Sequence, residues 1–178
     1  MKKIFLTIII LLTMVSISHS QYTATKAVTA NPIGLAYGLF NAQYEFALNQ
    51  KNSVAVRANF VGYSIGGYSN SAFGFGGSYR WYVMDSKTIV GWWAQPSADI
   101  LFWTSEWQTL GQTGLLGNVN KKETTTFFGI GGDGGYKWIW DHFALDVSVG
   151  ARIYMGKISG LSFGGFGPQL GVNLGYAW

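Results

Sequence analysis

The chain contains no cysteine, which excludes disulfides, thiolate nucleophiles and thiolate metal sites. Charge is scarce as well. Asp, Glu, Lys and Arg make up 11% of the 178 residues, whereas a soluble domain carries about 25%. The groups that keep a protein surface wet are therefore largely missing. Only 3 prolines and 2 histidines are present. Beyond the first twenty residues there is no apolar run approaching the roughly 20 residues that a helical membrane span needs. What the chain has instead is 48% hydrophobic residues, 17% aromatics and 25 glycines, far too apolar a composition for a disordered polypeptide. The formal charge of +4 includes Lys2 and Lys3 and gives little support to an acidic partner, so no nucleic acid is expected.

The first twenty residues have the three parts of a secretory signal. Lys2 and Lys3 form the charged start, Ile4 to Val15 the apolar stretch, and Ser18-His19-Ser20 places small residues at −3 and −1. Cleavage before Gln21 is expected, dividing the chain into a signal peptide (1–20) and one mature domain (21–178). An exported chain without a helical span is either soluble or inserted as strands.

Along the mature chain the apolar residues recur with period two, the signature of strands. Phe40, Ala42, Tyr44, Phe46 and Leu48 alternate with Asn41, Gln43 and Glu45. Val54, Val56, Ala58 and Phe60 oppose Arg57 and Asn59, and Phe73, Phe75, Tyr79, Trp81 and Val83 oppose Ser78 and Arg80. Val90, Trp92, Ala94, Ala98, Ile100 and Phe102 oppose Gln95, Ser97 and Asp99. Phe128, Ile130, Tyr136, Trp138 and Trp140 oppose Asp133 and Lys137; Phe143 to Ile153 oppose Asp146, Ser148 and Arg152. Finally, Leu170, Val172, Leu174, Tyr176 and Trp178 oppose Gln169 and Asn173. Bacterial barrels have even strand numbers, so a further strand is expected between about Thr25 and Tyr37, weakened by Pro32. Polar connections at Asn49–Ser53, Asp85–Thr88 and Asp141-His142 are short. Those at Ser64–Ala72, Ser105–Glu123 and Gly156–Gly167 read as long loops. Short periplasmic turns opposite long outer loops are a property of transmembrane barrels.

The composition of the two faces separates a membrane barrel from a soluble one. In a soluble barrel the apolar set lines a cavity and the other set is richly charged toward water. Here the second set is mostly Gly, Ala, Ser, Asn and Gln, with one or two charges per strand. The apolar set carries Phe40, Tyr44, Trp81, Trp92, Trp138, Trp140, Tyr176 and Trp178 near strand ends, as an aromatic girdle at the interfaces would. The fold class expected is therefore all-β, an antiparallel up-and-down transmembrane β-barrel of about eight strands, integral to the outer membrane of a Gram-negative cell.

Leu170, Val172, Leu174, Tyr176 and Trp178 hold every second position to a terminal aromatic, which resembles the strand by which outer-membrane barrels are recognised for assembly. With Phe40-Asn41-Ala42-Gln43-Tyr44-Glu45-Phe46, the size and the leader, the chain resembles the small eight-stranded outer-membrane barrels of the OmpX and OmpA-transmembrane type. The resemblance is one of pattern and carries no catalytic signature. It implies outer-membrane lipids, lipopolysaccharide and the barrel-assembly machinery as partners, and leaves open an unknown partner at the outer loops.

Glu45, Arg57, Arg80, Asp99, Asp133, Lys137, Asp146 and Arg152 all fall on the inward set. An eight-stranded barrel has an interior just wide enough for its side chains, and charges buried there should be paired. They read as a closed polar plug, with a narrow gated path for ions or small solutes as the alternative. A lipid-modifying enzyme is the third possibility. It lacks a basis in the residues, because His142 sits in a tight turn and Ser148 lies about 20 Å along a strand from it. No catalytic residue, metal site or cofactor is expected. Glu106, Trp107, Leu110, Leu115, Leu116, Lys121 and Lys122 read first as a loop folded over the barrel mouth or mobile, and otherwise mark the long connection as the place where an outer partner would bind.

Overall fold

The computed structural model describes residues 23–35, 38–65, 68–83, 88–109, 119–158 and 161–178. The expected signal peptide (1–20) lies outside the described residues. Eight strands, β1 (Lys26–Ala30), β2 (Leu39–Ala47), β3 (Asn52–Ile65), β4 (Tyr68–Tyr82), β5 (Gly91–Thr109), β6 (Val119–Trp140), β7 (Phe143–Ile158) and β8 (Leu161–Ala177), follow one another around a closed antiparallel barrel. Every strand pairs with its neighbours in sequence, and β1 closes the ring against β8 through Ala27↔Ala177 to Ala30↔Leu174. Closure removes the open edges that a membrane would not tolerate.

The period-two pattern accounts for the phase of every strand. In β7, Ala144, Asp146 and Arg152 are buried while Phe143, Val147, Val149 and Ile153 are exposed; in β4, Ala72, Ser78, Arg80 and Tyr82 are buried while Phe73, Phe75, Tyr79 and Trp81 are exposed. The polar or small inward side chains and the large apolar outward ones are the inverse of a soluble core. Most of the buried apolar residues among those described pack into a thin floor of Ala24, Ala27, Tyr82, Ile89, Trp93, Ala144 and Ala177. It lies at the barrel end where the start of β1, Trp178 and the tight turns meet.

Those turns follow local chemistry. Asn49 accepts hydrogen bonds from the backbone N–H groups of Lys51 and Asn52, both at 2.9 Å, which closes the β2–β3 hairpin as an Asx turn. Asp141 adopts φ 55°, a left-handed conformation that Asp tolerates, and β6 reverses into β7 through Asp141-His142 alone. Of the expected turn Asp85–Thr88, residues 85–87 lie outside the described residues.

At the opposite end the expected long loops are corrected. β3 runs to Ile65 and β4 begins at Tyr68; β7 runs to Ile158 and β8 begins at Leu161; β5 and β6 remain paired to Thr109↔Val119. Of the expected loops, 64–65 and 68–72, 105–109 and 119–123, and 156–158 and 161–167 are thus strand, while residues 66–67, 110–118 and 159–160 lie outside the described residues. Above the apolar belt a hairpin is held by its backbone ladder and needs no alternating face, so the missing alternation there did not mean missing strand. From Val119 to Thr126, β6 pairs with β5 alone, because the β6–β7 register starts at Phe127↔Gly156.

The stretch around Pro32 is corrected too. β1 ends at Ala30, and a short helix α1 (Pro32–Leu35) follows. Asn31 caps it by accepting the Gly34 backbone N–H at 3.0 Å, and Pro32 takes the first helical position, where a missing N–H is harmless. Pro96 interrupts the β4–β5 register between Ser78↔Ser97 and Trp81↔Ala94, as a residue without a donor must.

Candidate functional site in the barrel lumen

The eight charges read from the sequence all lie inside the barrel, and they separate into two neutral clusters. Nearer the tight-turn end are Glu45, Arg80, Lys137 and Asp146, contributed by β2, β4, β6 and β7. Arg80 Nη1 donates to Glu45 Oε2 at 2.9 Å and to Asp146 Oδ2 at 2.8 Å. Lys137 Nζ donates to Glu45 Oε2 and lies 3.5 Å from Asp146 Oδ2. The remaining valences are met by neutral neighbours. Ser53 and Tyr82 donate to Glu45 Oε1 at 2.5 and 2.7 Å, and Trp93 Nε1 donates to Asp146 Oδ1 at 3.1 Å. The Arg80 guanidinium also stacks 3.6 Å from the centre of the Trp93 ring, a favourable cation–π arrangement. All four charged side chains are at least 98% buried. Two acids and two bases in so small a volume satisfy the condition under which buried charge is tolerated, pairing plus complete hydrogen bonding.

One layer further along the lumen are Arg57, Asp99, Asp133 and Arg152, from β3, β5, β6 and β7. Arg152 Nη2 donates to Ser97 Oγ at 3.0 Å and to Asp133 Oδ2 at 3.4 Å. Gln95 joins the two layers, accepting from Arg80 Nε at 3.0 Å and donating to Asp133 Oδ2 at 3.1 Å. This layer is less complete. Arg57 Nε stands 3.9 Å from Asp99 Oδ1, beyond hydrogen-bond range. Arg152 Nε lies 3.0 Å from Asp99 Oδ2, but without the alignment of a hydrogen bond. A cavity of 340 Å³ opens on this layer, bounded on one side by Arg80 and Trp93 and on the other by Asn31 and Gly34 at α1.

Sequence reasoning missed Ser53, Tyr82 and Trp93 as members of the network. All three fall on the inward set, so the phase alone would have found them. The barrel holds room for the upper acids by omitting side chains opposite them. Gly76 faces Asp99 and Gly150 faces Asp133 across their ladders.

Outside the lumen, the predicted girdle residues divide unevenly. Tyr44, Trp81, Trp92, Trp138, Trp140, Tyr176 and Trp178 band the tight-turn end. Neighbouring rings are in contact range: Trp92–Tyr136 at 5.2 Å, Tyr136–Trp138 at 4.4 Å, Trp140–Phe143 at 6.0 Å, Tyr176–Trp178 at 5.9 Å and Tyr44–Trp178 at 6.2 Å. Phe40 belongs to the other end. There it starts a row that crosses four strands in register, Phe40↔Phe60, Phe60↔Phe73 and Phe73↔Phe102. On β4 the two bands, at Phe73 and Trp81, are eight residue steps apart. At a rise of about 3.3 Å per residue and a tilt near 40° that is roughly 20 Å of height, comparable to the apolar band of a membrane barrel. Between them, no Asp, Glu, Lys or Arg occupies an outward position among the described residues.

Leu170, Val172, Leu174, Tyr176 and Trp178 stand together on the outer face of the C-terminal strand and its end, the first four opposite Val149, Val147, Leu145 and Phe143 of β7. His142 remains in the turn between β6 and β7. Its Nδ1 is 2.9 Å from the Ala177 carbonyl oxygen and its ring stacks 4.9 Å from that of Tyr176. Of the predicted outer patch, Leu110, Leu115 and Leu116 lie outside the described residues; Glu106 and Lys122 form an exposed ion pair at 2.8 Å.

No family model and no curated protein sequence matches the chain. Among solved structures, Ail, the attachment invasion locus protein of Yersinia pestis, is similar with a TM-score of 0.52 over 88% of this chain and 100% of that one, at 9% sequence identity. A likeness at that identity is one of fold. The closed eight-stranded ring and this match together give the chain the fold of the small OmpX-type outer-membrane barrels.

Proposed function

We propose that the protein is an integral barrel of the outer membrane, exported by a cleaved leader, non-enzymatic, with a lumen closed by its own charges. The observation that carries this is the inversion of polarity. Among the described residues, every Asp, Glu, Lys and Arg between the two aromatic bands points inward, while Val56, Phe75, Ile130, Val149 and Ile153 present large apolar surface outward. In water so wide an exposed apolar surface would drive association; in a bilayer it is the lipid-facing surface. Outer-membrane lipids and lipopolysaccharide are then its immediate partners, and the strand ending at Trp178 is the segment offered to the barrel-assembly machinery.

The role of such a barrel is structural, or interactive through its long-strand end. Water-facing charges such as Glu106 and Lys122 occur where β5 and β6 extend past β7. A narrow channel is the second reading, favoured by the cavity above Arg57. Conduction would require the cluster of Glu45, Arg80, Lys137 and Asp146 to part. Single-channel recording of the folded protein in a planar bilayer tests this. Under the closed-lumen reading an inserted barrel gives no steady openings. Steady openings that change when Arg80 is replaced would make transport the function.

A further inference from the structure

The two charge clusters differ in a way that points to a ligand. No buried nitrogen or oxygen of Glu45, Arg80, Lys137 or Asp146 lacks a partner. In the upper layer, by contrast, Arg57 Nε and Nη2, Arg152 Nε and both carboxylate oxygens of Asp99 make no hydrogen bond, although Arg152 Nε lies 3.0 Å from Asp99 Oδ2. Arg57 and Asp99 are charged side chains only 9% and 3% exposed, and an unmet hydrogen bond on a buried charged group is strongly disfavoured. Both groups line the same 340 Å³ cavity, together with the neutral amides of Asn41, Gln43, Asn59 and Asn173. Buried donors and acceptors without hydrogen bonds therefore sit side by side at the cavity wall, with Arg57 Nε and Asp99 Oδ1 3.9 Å apart.

The charge balance narrows the chemistry. Arg57 and Arg152 are offset by Asp99 and Asp133, so the layer is neutral. A bare anion on Arg57 would face Asp99, and a bare cation on Asp99 would face Arg57. Either would leave a net charge in a lumen of low dielectric, which is costly. A neutral molecule with its own separated charges avoids both penalties.

We propose that this cavity binds a small zwitterion of the α-amino-acid class, its carboxylate accepting from the Arg57 guanidinium and its ammonium donating to the Asp99 carboxylate. The site requires only the folded barrel and does not depend on where the barrel resides or whether it conducts. Ordered water is the competing occupant, since the cavity has room for about ten molecules at ~30 Å³ each.

Equilibrium dialysis of the detergent-folded protein against radiolabelled glycine tests this, with acetate and methylammonium as single-charge competitors. Saturable uptake that neither ion displaces at equal concentration is expected. Variants R57Q and D99N, shown to be folded by their unheated gel mobility, should each weaken binding at least tenfold. The ligand series on the unaltered protein remains decisive if a variant fails to fold. No saturable uptake would leave the cavity to water and overturn the proposal. So would displacement by acetate or methylammonium as effective as by glycine itself, or folded variants that bind as the unaltered protein does.

Discussion

Gly76 stands directly across the β4–β5 ladder from Asp99, and a methyl group on it would fall 1.8 Å from Asp99 Oδ1. The same relation holds between Gly150 and Asp133 Oδ1, at 2.2 Å. Each upper-layer acid thus occupies the volume that an opposing side chain would fill. In a lumen that eight strands leave barely wide enough for side chains, these glycines decide where the acids go. Replacing Gly76 by Ala should force Asp99 off its position and destabilise the barrel by about 1–3 kcal/mol, the range for overpacking. The check is the urea midpoint of the protein folded in lipid vesicles, followed by tryptophan fluorescence. An unchanged midpoint would mean that the layer is loose.

Breaking the lower cluster should be more damaging. E45Q removes the acid shared by Arg80 and Lys137 and strands two buried cations on Asp146. Removing one partner of such a set costs about 3–5 kcal/mol. A double variant E45Q/K137M restores neutrality and should recover most of that loss, because the residues are coupled rather than additive. Urea unfolding of the two singles and the double measures the coupling. Equal and additive losses would show that the cluster does not act as one unit.

How far these relations were legible in the sequence differs from residue to residue. The inward position of Arg80 and Asp146 follows from alternation alone, as does the outward position of Val149 and Ile153. That Arg80 meets Asp146 across the lumen does not, because the stagger of β4 against β7 accumulates over the strands between them. The same holds for the row Phe40, Phe60, Phe73 and Phe102, whose members are each visible as outward residues but align only in register. The capped turn at Asn31-Pro32 carried a helix-start signal that a weak strand reading obscured. Val119 to Glu123 of β6 reads as loop because polar residues occupy both faces where a hairpin stands clear of the apolar belt.

The outer belt makes a position-dependent prediction. Ile130, paired with Ala98 and Ile153, lies midway between the two aromatic bands. I130R should cost about 2–4 kcal/mol in a bilayer. T124R, on the exposed part of β6 beyond Phe128, should stay within about 0.5 kcal/mol of the unaltered protein. Folding yields and urea midpoints in vesicles compare the two. Equal effects would contradict the assigned height of the belt.

The ion pair of Glu106 and Lys122 sits on the exposed hairpin, with side chains 51% and 65% accessible. Solvent screening leaves such a pair little weight, so K122A should shift the urea midpoint by no more than the equivalent of about 0.5 kcal/mol. A larger loss would show that the hairpin end is packed against something.

The central claim, that the outward surface of this barrel meets lipid, is tested most directly by dilution of the urea-unfolded protein into lipid vesicles without detergent. Flotation and gel mobility before and after heating are then compared. The protein should float with the vesicles, resist extraction by alkaline carbonate and change mobility only when boiled. A folded, monomeric protein recovered from the aqueous fraction would contradict the claim.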